Sequence, residues 1–394
     1  MKSPLISFLL IATVLLIAVP AGAAEIPHIR FEDPEERWWD VLNDVRDADL
    51  ENSKQTRGHL GKGLDVTIPA GQFRGLGPFL SANANPDKAW YRYYMKVDYW
   101  PASWSGKLPG PAGLYGSSGR GCIPSTPGNP GWSARGVYEP PGQFGAKGRQ
   151  IRIGTYLYHL DQEGDCGDIL LWEPGLINYG RWYCIQGAVD MNALDRADGS
   201  VRAWVDGKQA FAQNNLRLRR FNEREVGARH FWLNIYHGGK VTAPKDLNMD
   251  IDEVVFSTSG KVGCADPFTD DNNSPHEDDI KEMHARQYLY GCGHRLVCPG
   301  QKLTRAQMAA MLSRVLHLPS TATNHFIDDQ GHWAEGAINR FAEAGVTIGC
   351  DPPANTRFCP EKSVSRGEMA VFIQRAFQIA QSQEDRFADD TGHY

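Results

Sequence analysis

The sequence predicts a multi-domain chain, an all-β sandwich of the jelly-roll kind followed by an α-helical repeat module. Three observations predict it. Short runs of alternating polar and apolar residues, separated by Gly/Pro-rich stretches, fill the middle of the chain. The last third aligns on itself in a fixed register. The composition also changes between the two. Residues 1–263 hold 29 basic and 29 acidic residues and ten of the eleven tryptophans, whereas residues 264–394 hold 12 and 18. A chain of 394 residues has room for two or three domains. With 41% hydrophobic and 22% charged residues it has the makings of a packed core. The net charge of −6 argues against a protein that coats phosphate, so no nucleic-acid partner is expected.

At the start, Lys2 precedes an apolar run from Leu5 to Val19, and Ala21-Gly22-Ala23 follows. That order reads as a secretory signal peptide over residues 1–24. A membrane anchor needs about 20 apolar residues, and this run is shorter. No later stretch is long and apolar enough to span a bilayer, so the mature chain is expected to be exported without a transmembrane segment. Export makes disulfides the default for the eight cysteines. Cys292 with Cys298, and Cys350 with Cys359, are expected as local pairs. His294 between the first two hints at zinc, but four well-spaced ligands are missing and no metal is expected. Cys122, Cys166, Cys184 and Cys264 admit three pairings, and spacing does not choose among them.

Residues 25–60 read as a helical or linker segment, with Glu35 to Asn52 helix-like and carrying Trp38 and Trp39. The pattern then switches to period two for a sandwich over 61–260. From Lys88 to Trp100, Tyr91, Tyr93, Met95, Val97 and Tyr99 alternate with Arg92, Tyr94, Lys96 and Asp98. Further strands are expected at Trp132–Tyr138, Ile151–His159, Arg181–Asp190, Val201–Val205, Arg229–His237 and Met249–Ser257. Leu108–Gly116 and Pro124–Gly131 are expected as connections, and Asp206-Gly207 as a hairpin turn. Helices between the strands are lacking, which argues against a parallel α/β domain. There is no nucleophile elbow and no phosphate loop. The acids Asp250, Asp252 and Glu253 sit in the closing strand rather than at glycosidase spacing.

Residues two apart on a strand share a face. Ser133 and Arg135 therefore lie together, as do Tyr156 and Tyr158, opposite Ile151, Ile153 and Leu157. Trp232, Asn234 and Tyr236 share a face opposite Phe231, Leu233 and Ile235. Lys107 precedes Leu-Pro-Gly in an expected loop. If those faces meet they form a groove of cations, phenols, an indole and an amide. Such a surface suits an acidic sugar: cations for carboxylates, rings for pyranose faces, amides for hydroxyls.

In the tail, Phe268-Thr-Asp-Asp returns as Phe326-Ile-Asp-Asp and as Phe387-Ala-Asp-Asp. Gly291-Cys292 matches Gly349-Cys350, and Leu303-Thr-Arg-Ala-Gln-Met308 matches Val364-Ser-Arg-Gly-Glu-Met369. Repeats are expected over 265–324 and 325–385, with a third begun at 386–394. Each reads as helix, loop, helix. Thr304 with Gln307 and Ser365 with Glu368 predict capping boxes. Met308, Met311, Leu312 and Val315 form one core stripe, and Met369, Phe372, Ile373 and Phe377 the other. Arg305 and Arg366 stand in the first turn of these helices, where a guanidinium beside free amides makes an anion site. The competing reading is a salt bridge to Asp270, Asp271, Asp328 or Asp329.

These repeats resemble S-layer homology repeats, with Leu303–Gln307 and Val364–Glu368 at the family's Thr-Arg-Ala-Glu-type signature. The resemblance implies a helical module that binds secondary cell-wall polymer through Arg305 and Arg366. In the middle, Lys107-Leu-Pro-Gly110, Trp132-Ser-Ala-Arg135 and Tyr156-Leu-Tyr158 resemble the ordered motifs of polysaccharide lyase family 14. Gly180-Arg-Trp182, the segment from Asp198 to Gly207, and Asp250-Ile-Asp252 add to the likeness. It implies a lectin-like jelly roll, a cell-surface lyase for an acidic polysaccharide such as alginate or a glucuronate polymer, and a site of Lys107, Ser133, Arg135, Tyr156 and Tyr158.

The implied reaction is β-elimination: the C5 proton is removed and the C4 oxygen expelled. Arg135 and Lys107 are expected to share the charge growing on the carboxylate, at about 3–4 kcal/mol per well-placed donor. Tyr156 or Tyr158 is the expected base, its phenol lowered from about 10 by adjacent cations. The other tyrosine then protonates the leaving oxygen. His159 and His237 are rival bases that alternate toward the apolar face. The scheme requires no cofactor. The alternatives are a non-catalytic carbohydrate-binding module and an envelope structural protein.

Overall fold

The computed structural model of the chain describes residues 28–29, 31 and 39–380. The expected signal peptide, Trp38 and the third Phe-x-Asp-Asp at Phe387 lie outside the described residues.

Two antiparallel sheets face each other. The first has eight strands: Lys208–Leu216, Gly199–Val205, Trp182–Asp190, Lys88–Tyr99, Leu247–Ser257, Lys62–Ile68 and Ser53–Arg57 in order, with His28–Ile29 also pairing on Leu247–Ser257. The second has nine. Gly131–Glu139 lies at its middle, flanked on one edge by Gln150–Tyr158 and then Asp168–Asn178. Gly106–Leu108 and Gly110–Leu114 flank the other edge, followed by His230–Trp232 and Ile235–His237, then Arg74–Leu76 and Phe79–Ser81. Period-two burial builds the core between the sheets. Tyr91, Tyr93, Met95 and Val97 point inward from the first, meeting Phe231, Leu233 and Ile235 from the second. Phe231 is fully buried and stacks on Tyr91 with centroids 4.9 Å apart.

Most of the expected strands recur with small changes of bounds, but Arg229–His237, expected as one strand, is broken into His230–Trp232 and Ile235–His237. Asp206-Gly207 closes the hairpin with both residues at positive φ. Three further expectations need correction. The N-terminal segment is helical, among the described residues, only at Asp47–Glu51; Ser53–Arg57 is instead an edge strand. The helix begins only at Asp47, where the buried Asp49 carboxylate accepts the amide of the preceding Arg46 and holds Arg74 at 2.7 Å. Gly110–Leu114 is a strand although rich in Gly and Pro. A Cβ on Gly110 would stand 2.5 Å from the Ala134 carbonyl, so close strand approach selects glycine here. Finally, Lys107 lies on the Gly106–Leu108 strand rather than in a loop.

Three neighbouring strand lines break at the same level, around Gly77-Pro78, Pro109 and Leu233-Asn234. Pro109 has no amide to donate, but its carbonyl accepts from Gly136. Leu233 donates to the Pro78 carbonyl. The aligned breaks bring Lys107, Trp232, Asn234 and Tyr236 beside the middle strand.

All eight cysteines are paired: Cys122–Cys166, Cys184–Cys264, Cys292–Cys298 and Cys350–Cys359. The two local pairs are those expected, and the fold chooses the other two.

In the tail, helices span Glu277–Ala285, Arg305–Val315, Glu335–Glu343 and Arg366–Ala376. Both capping boxes form: Thr304 accepts from the Gln307 amide, and Ser365 from the Glu368 amide. Asp270 accepts the Val297 and Cys298 amides, and Asp328 those of Phe358 and Cys359, so each repeat clamps its loop the same way. Met308, Leu312, Ile338, Phe341, Phe358 and Phe372 share a core. The second stripe is buried only in part. Phe372 is inside, while Met369 and Phe377 are 38% and 51% exposed, since no further described helix covers them.

Candidate active site

The site is assembled on the outward face of the second sheet. Register does most of the assembly. Tyr156 is paired directly with Arg135, and Tyr158 with Ser133, across two adjacent strands. On the other edge, Lys107 pairs with Val137 and Tyr236 with Lys107. Alternation sends Tyr156 and Tyr158 away from Ile151, Ile153 and Leu157, which lie in the core.

Arg135 is the centre of the cluster. It is 4% exposed, its guanidinium carbon 4.6 Å from the centre of the Trp232 ring and 5.6 Å from that of Tyr156. One nitrogen donates to Asn234 Oδ1 at 2.9 Å, and Nε has no partner among the described residues. Lys107 Nζ stands 3.6 Å from the Tyr156 ring centre. The Tyr156 and Tyr158 hydroxyls are 3.4 Å apart. Trp232 is fixed by its Nε1 donating to the Gly77 carbonyl and by stacking on Phe79.

A loop closes one end. Ser133 Oγ donates to the Gly119 carbonyl at 2.6 Å, and the Cys122 amide donates to the Tyr158 hydroxyl at 2.8 Å. The Cys122–Cys166 bond staples this loop to the turn after Tyr158. Sequence reasoning named Ser133 and Tyr158 but missed that the loop holds them, because a backbone amide leaves no mark in residue identity. It also missed Phe79 and Arg120. The charge of Arg120 acts on Arg135, yet nothing in its sequence context points there.

Electrostatics depart from expectation. Burial pushes the Tyr156 phenol well above its usual range, and Tyr158 adds to this; the pull of Arg135 is smaller. In a dry site the cost of desolvating a phenolate outweighs one neighbouring cation. The same burial, helped by Arg135, draws Lys107 down to about 7 against Glu139, and burial lowers Arg135 to about 10. Lys107 thus changes protonation near neutrality while Tyr156 keeps its proton.

The rival bases sit elsewhere. His237 is wholly buried against the Tyr138 hydroxyl at 2.7 Å, and His159 pairs with Asp168. Tyr236 is half-buried, stacked on Phe73, and flanks Lys107. Asp250 holds Lys96, Glu253 holds Arg92, and Asp252 accepts the Leu60 amide, all in the first sheet. Arg305 is 2% exposed and turned inward; it donates to the Phe358 and Gly349 carbonyls and pairs with Glu368 rather than with any of the four aspartates considered. Arg366 is exposed. Asp270 and Asp328 lie beside cysteine pairs, but those sulfurs are oxidised to disulfides and are not thiolate ligands.

No family model matches the chain. Among solved structures it is similar to alginate lyase Aly36B, at 18% identity and a TM-score of 0.50, over 59% of this chain and 97% of that one. Among curated proteins it is 28% identical over 104 residues to an endoglucanase of Bacillus sp. (strain KSM-635), covering 26% of this chain and 11% of the other. It is 31% identical over 117 residues to an S-layer protein of Bacillus licheniformis, covering 26% and 13%. The chain spans little more than a tenth of the length of these two relatives. The sandwich is thus similar in fold to an alginate lyase, while part of the chain is similar in sequence to part of an S-layer protein.

Proposed function

We propose that the chain is a secreted, cell-wall-associated polysaccharide lyase that cleaves an acidic uronate polymer by β-elimination. The observation that carries this is the buried Arg135 guanidinium, held by Asn234 between Trp232 and Tyr156 with Lys107 over the same phenol. A buried cation with an unused Nε–H and aromatic walls suits a sugar carboxylate, whose negative charge offsets the desolvation of the guanidinium.

The burial pattern supports a division of labour unlike the one expected from sequence. Arg135 binds the carboxylate and draws off the charge that grows on it as C5 loses its proton. Lys107, as the neutral amine available above about pH 7, takes that proton. The C5–H electron pair becomes the C4–C5 double bond as the C4–O bond breaks. Tyr156, kept protonated by burial, donates its proton to the departing oxygen. Tyr158 and Ser133 hold the covering loop, and Trp232, Asn234 and Tyr236 line the sugar path.

The tail serves in this reading as the wall anchor, through repeats of the S-layer homology kind that bind secondary cell-wall polymer. The likeness to a stretch of an S-layer protein supports this. Arg366, exposed at a capped helix start, suits an anionic group of that polymer, whereas Arg305 is engaged inside. The full secreted chain incubated with alginate and glucuronan tests the proposal. A conjugated double bond absorbing in the ultraviolet is expected from at least one polymer. Binding without that product would make the sandwich a carbohydrate-binding module, and neither would leave an envelope protein.

A further inference from the structure

A cavity of about 950 Å³ lies away from the candidate active site, between the first sheet and the tail. That is the size of sites that take drug-sized or oligomeric ligands. Its floor comes from the sandwich: His59 at the tip of the hairpin between Ser53–Arg57 and Lys62–Ile68, and Trp182. Its other wall is Tyr290 and Arg295 of the tail.

Three features of the floor and rim converge. His59 is 6% exposed and Trp182 2% exposed, yet both His59 ring nitrogens and Trp182 Nε1 lack a hydrogen-bond partner among the described residues. Buried polar atoms rarely stay unpaired without a reason. The His59 ring is also held in place. It stacks on Tyr94 at 3.9 Å, Leu60 beside it donates to Asp252, and His284 Nε2 lies 2.8 Å from the His59 carbonyl. Burial, with His284, Arg92 and Arg181 nearby, lowers the pKa of His59 far enough to keep it neutral. A neutral imidazole offers one donor and one acceptor, the complement of a hydroxyl.

The rim is cationic. Arg57 and Arg295 line the cavity, and Glu253, the one carboxylate among its described lining residues, is bonded to Arg92 at 2.8 Å. Arg57 and Arg295 are exposed, and Arg57 lies 3.4 Å over the Tyr290 ring, giving a flat aromatic and cationic edge.

We infer that this junction is a second carbohydrate site, which takes a short oligosaccharide bearing an oxyanion. Hydroxyls meet His59 and Trp182 in the floor, and the oxyanion meets Arg57 and Arg295 at the mouth. A polyuronate and a phosphorylated wall polymer share this chemistry. The site is built from residues outside the Arg135 cluster, so it stands or falls apart from the lyase reading.

Calorimetric titration of the full chain carrying Lys107→Met with Arg135→Ala, which keeps substrate intact and disables the Arg135 cluster, tests the inference. The probes are tetraglucuronate, glucose 6-phosphate and neutral cellotetraose. At least one anionic probe is expected to bind this double variant, with affinity reduced at least tenfold by adding Arg57→Ala and Arg295→Ala. These two side chains are exposed, so the melting temperature should hold. His59→Phe should weaken binding similarly, and His59→Gln should restore part of it. Preference for tetraglucuronate supports a polyuronate as occupant, and preference for glucose 6-phosphate supports a phosphorylated wall polymer. Anionic probes that bind no better than cellotetraose would overturn the inference. So would binding indifferent to Arg57 and Arg295. Failure of the unmodified chain to release unsaturated product would overturn only the lyase reading.

Discussion

Tyr156 and Arg135 stand directly opposite each other across two antiparallel strands, the guanidinium carbon 5.6 Å from the phenol ring centre. Cross-strand partners have their Cβ atoms about 5 Å apart, so this pairing places a cation and a phenol within one sugar unit's reach. Lys107, from a strand on the other edge, and Asn234, from the break between two strands there, complete the cluster.

Removal of the central cation should be severe for chemistry. Arg135→Ala is expected to lower the rate of unsaturated-product formation by about 10²–10³-fold. Arg135→Lys should recover little, because a single ammonium does not reproduce the fork that reaches Asn234 and a carboxylate together. Initial rates read from the ultraviolet absorbance of the conjugated product decide the matter; unchanged rates would remove Arg135 from the mechanism.

The pH dependence has a definite sign. Lys107 titrates at about 7 in the folded chain and serves as base only when deprotonated. The value of kcat/KM should therefore rise as pH increases through about 7 and then level. Lys107→Met should abolish turnover. It should also raise the melting temperature, most clearly below pH 7, where the native protein carries a half-buried ammonium. A rate that falls through this range would contradict the assignment.

The loop over Tyr158 depends on a covalent staple. Replacing Cys122 and Cys166 together by Ala should cost about 2–4 kcal/mol in denaturant unfolding. Since Cys122 also presents its amide to Tyr158, KM should rise more than the stability loss alone would cause. An unaltered KM would show that the loop does not shape the site.

The two repeat arginines should behave differently. Arg305 is almost wholly buried and donates to the Phe358 and Gly349 carbonyls, and Arg305→Ala should destabilise the tail by about 1–3 kcal/mol, the cost of leaving buried acceptors unsatisfied. Arg366→Ala should leave stability within about 0.5 kcal/mol and reduce binding to cell-wall polymer. Thermal unfolding and sedimentation with purified walls measure the two effects.

The sandwich core offers a control. Phe231→Ala removes a fully buried ring that stacks on Tyr91 and is expected to cost about 3–5 kcal/mol. Chemical denaturation followed by tryptophan fluorescence reads this directly.

Much of this was legible in order along the chain. Alternation marked strands at Lys88–Trp100, Trp132–Tyr138 and Ile151–His159, within a residue of those observed, and assigned Tyr156 and Tyr158 to the face away from Ile151 and Ile153. The capping boxes at Thr304 and Ser365 were visible because they are made within four consecutive residues. The Gly/Pro-rich strand Gly110–Leu114 was not, since its residues are chosen by a neighbouring backbone 2.5 Å away from where a side chain would start.

Local periodicity and capping chemistry are properties of nearby residues, so the primary structure alone determined the strands that alternate clearly, the two capped helices and which of their side chains share a face. The tertiary structure decided the rest. It paired Cys122 with Cys166 and Cys184 with Cys264, turned Arg305 inward, and reversed the protonation preferences of Lys107 and Tyr156. The reason is physical: disulfide partners, burial and desolvation depend on what distant segments bring within a few ångströms, and no single stretch of sequence carries that information.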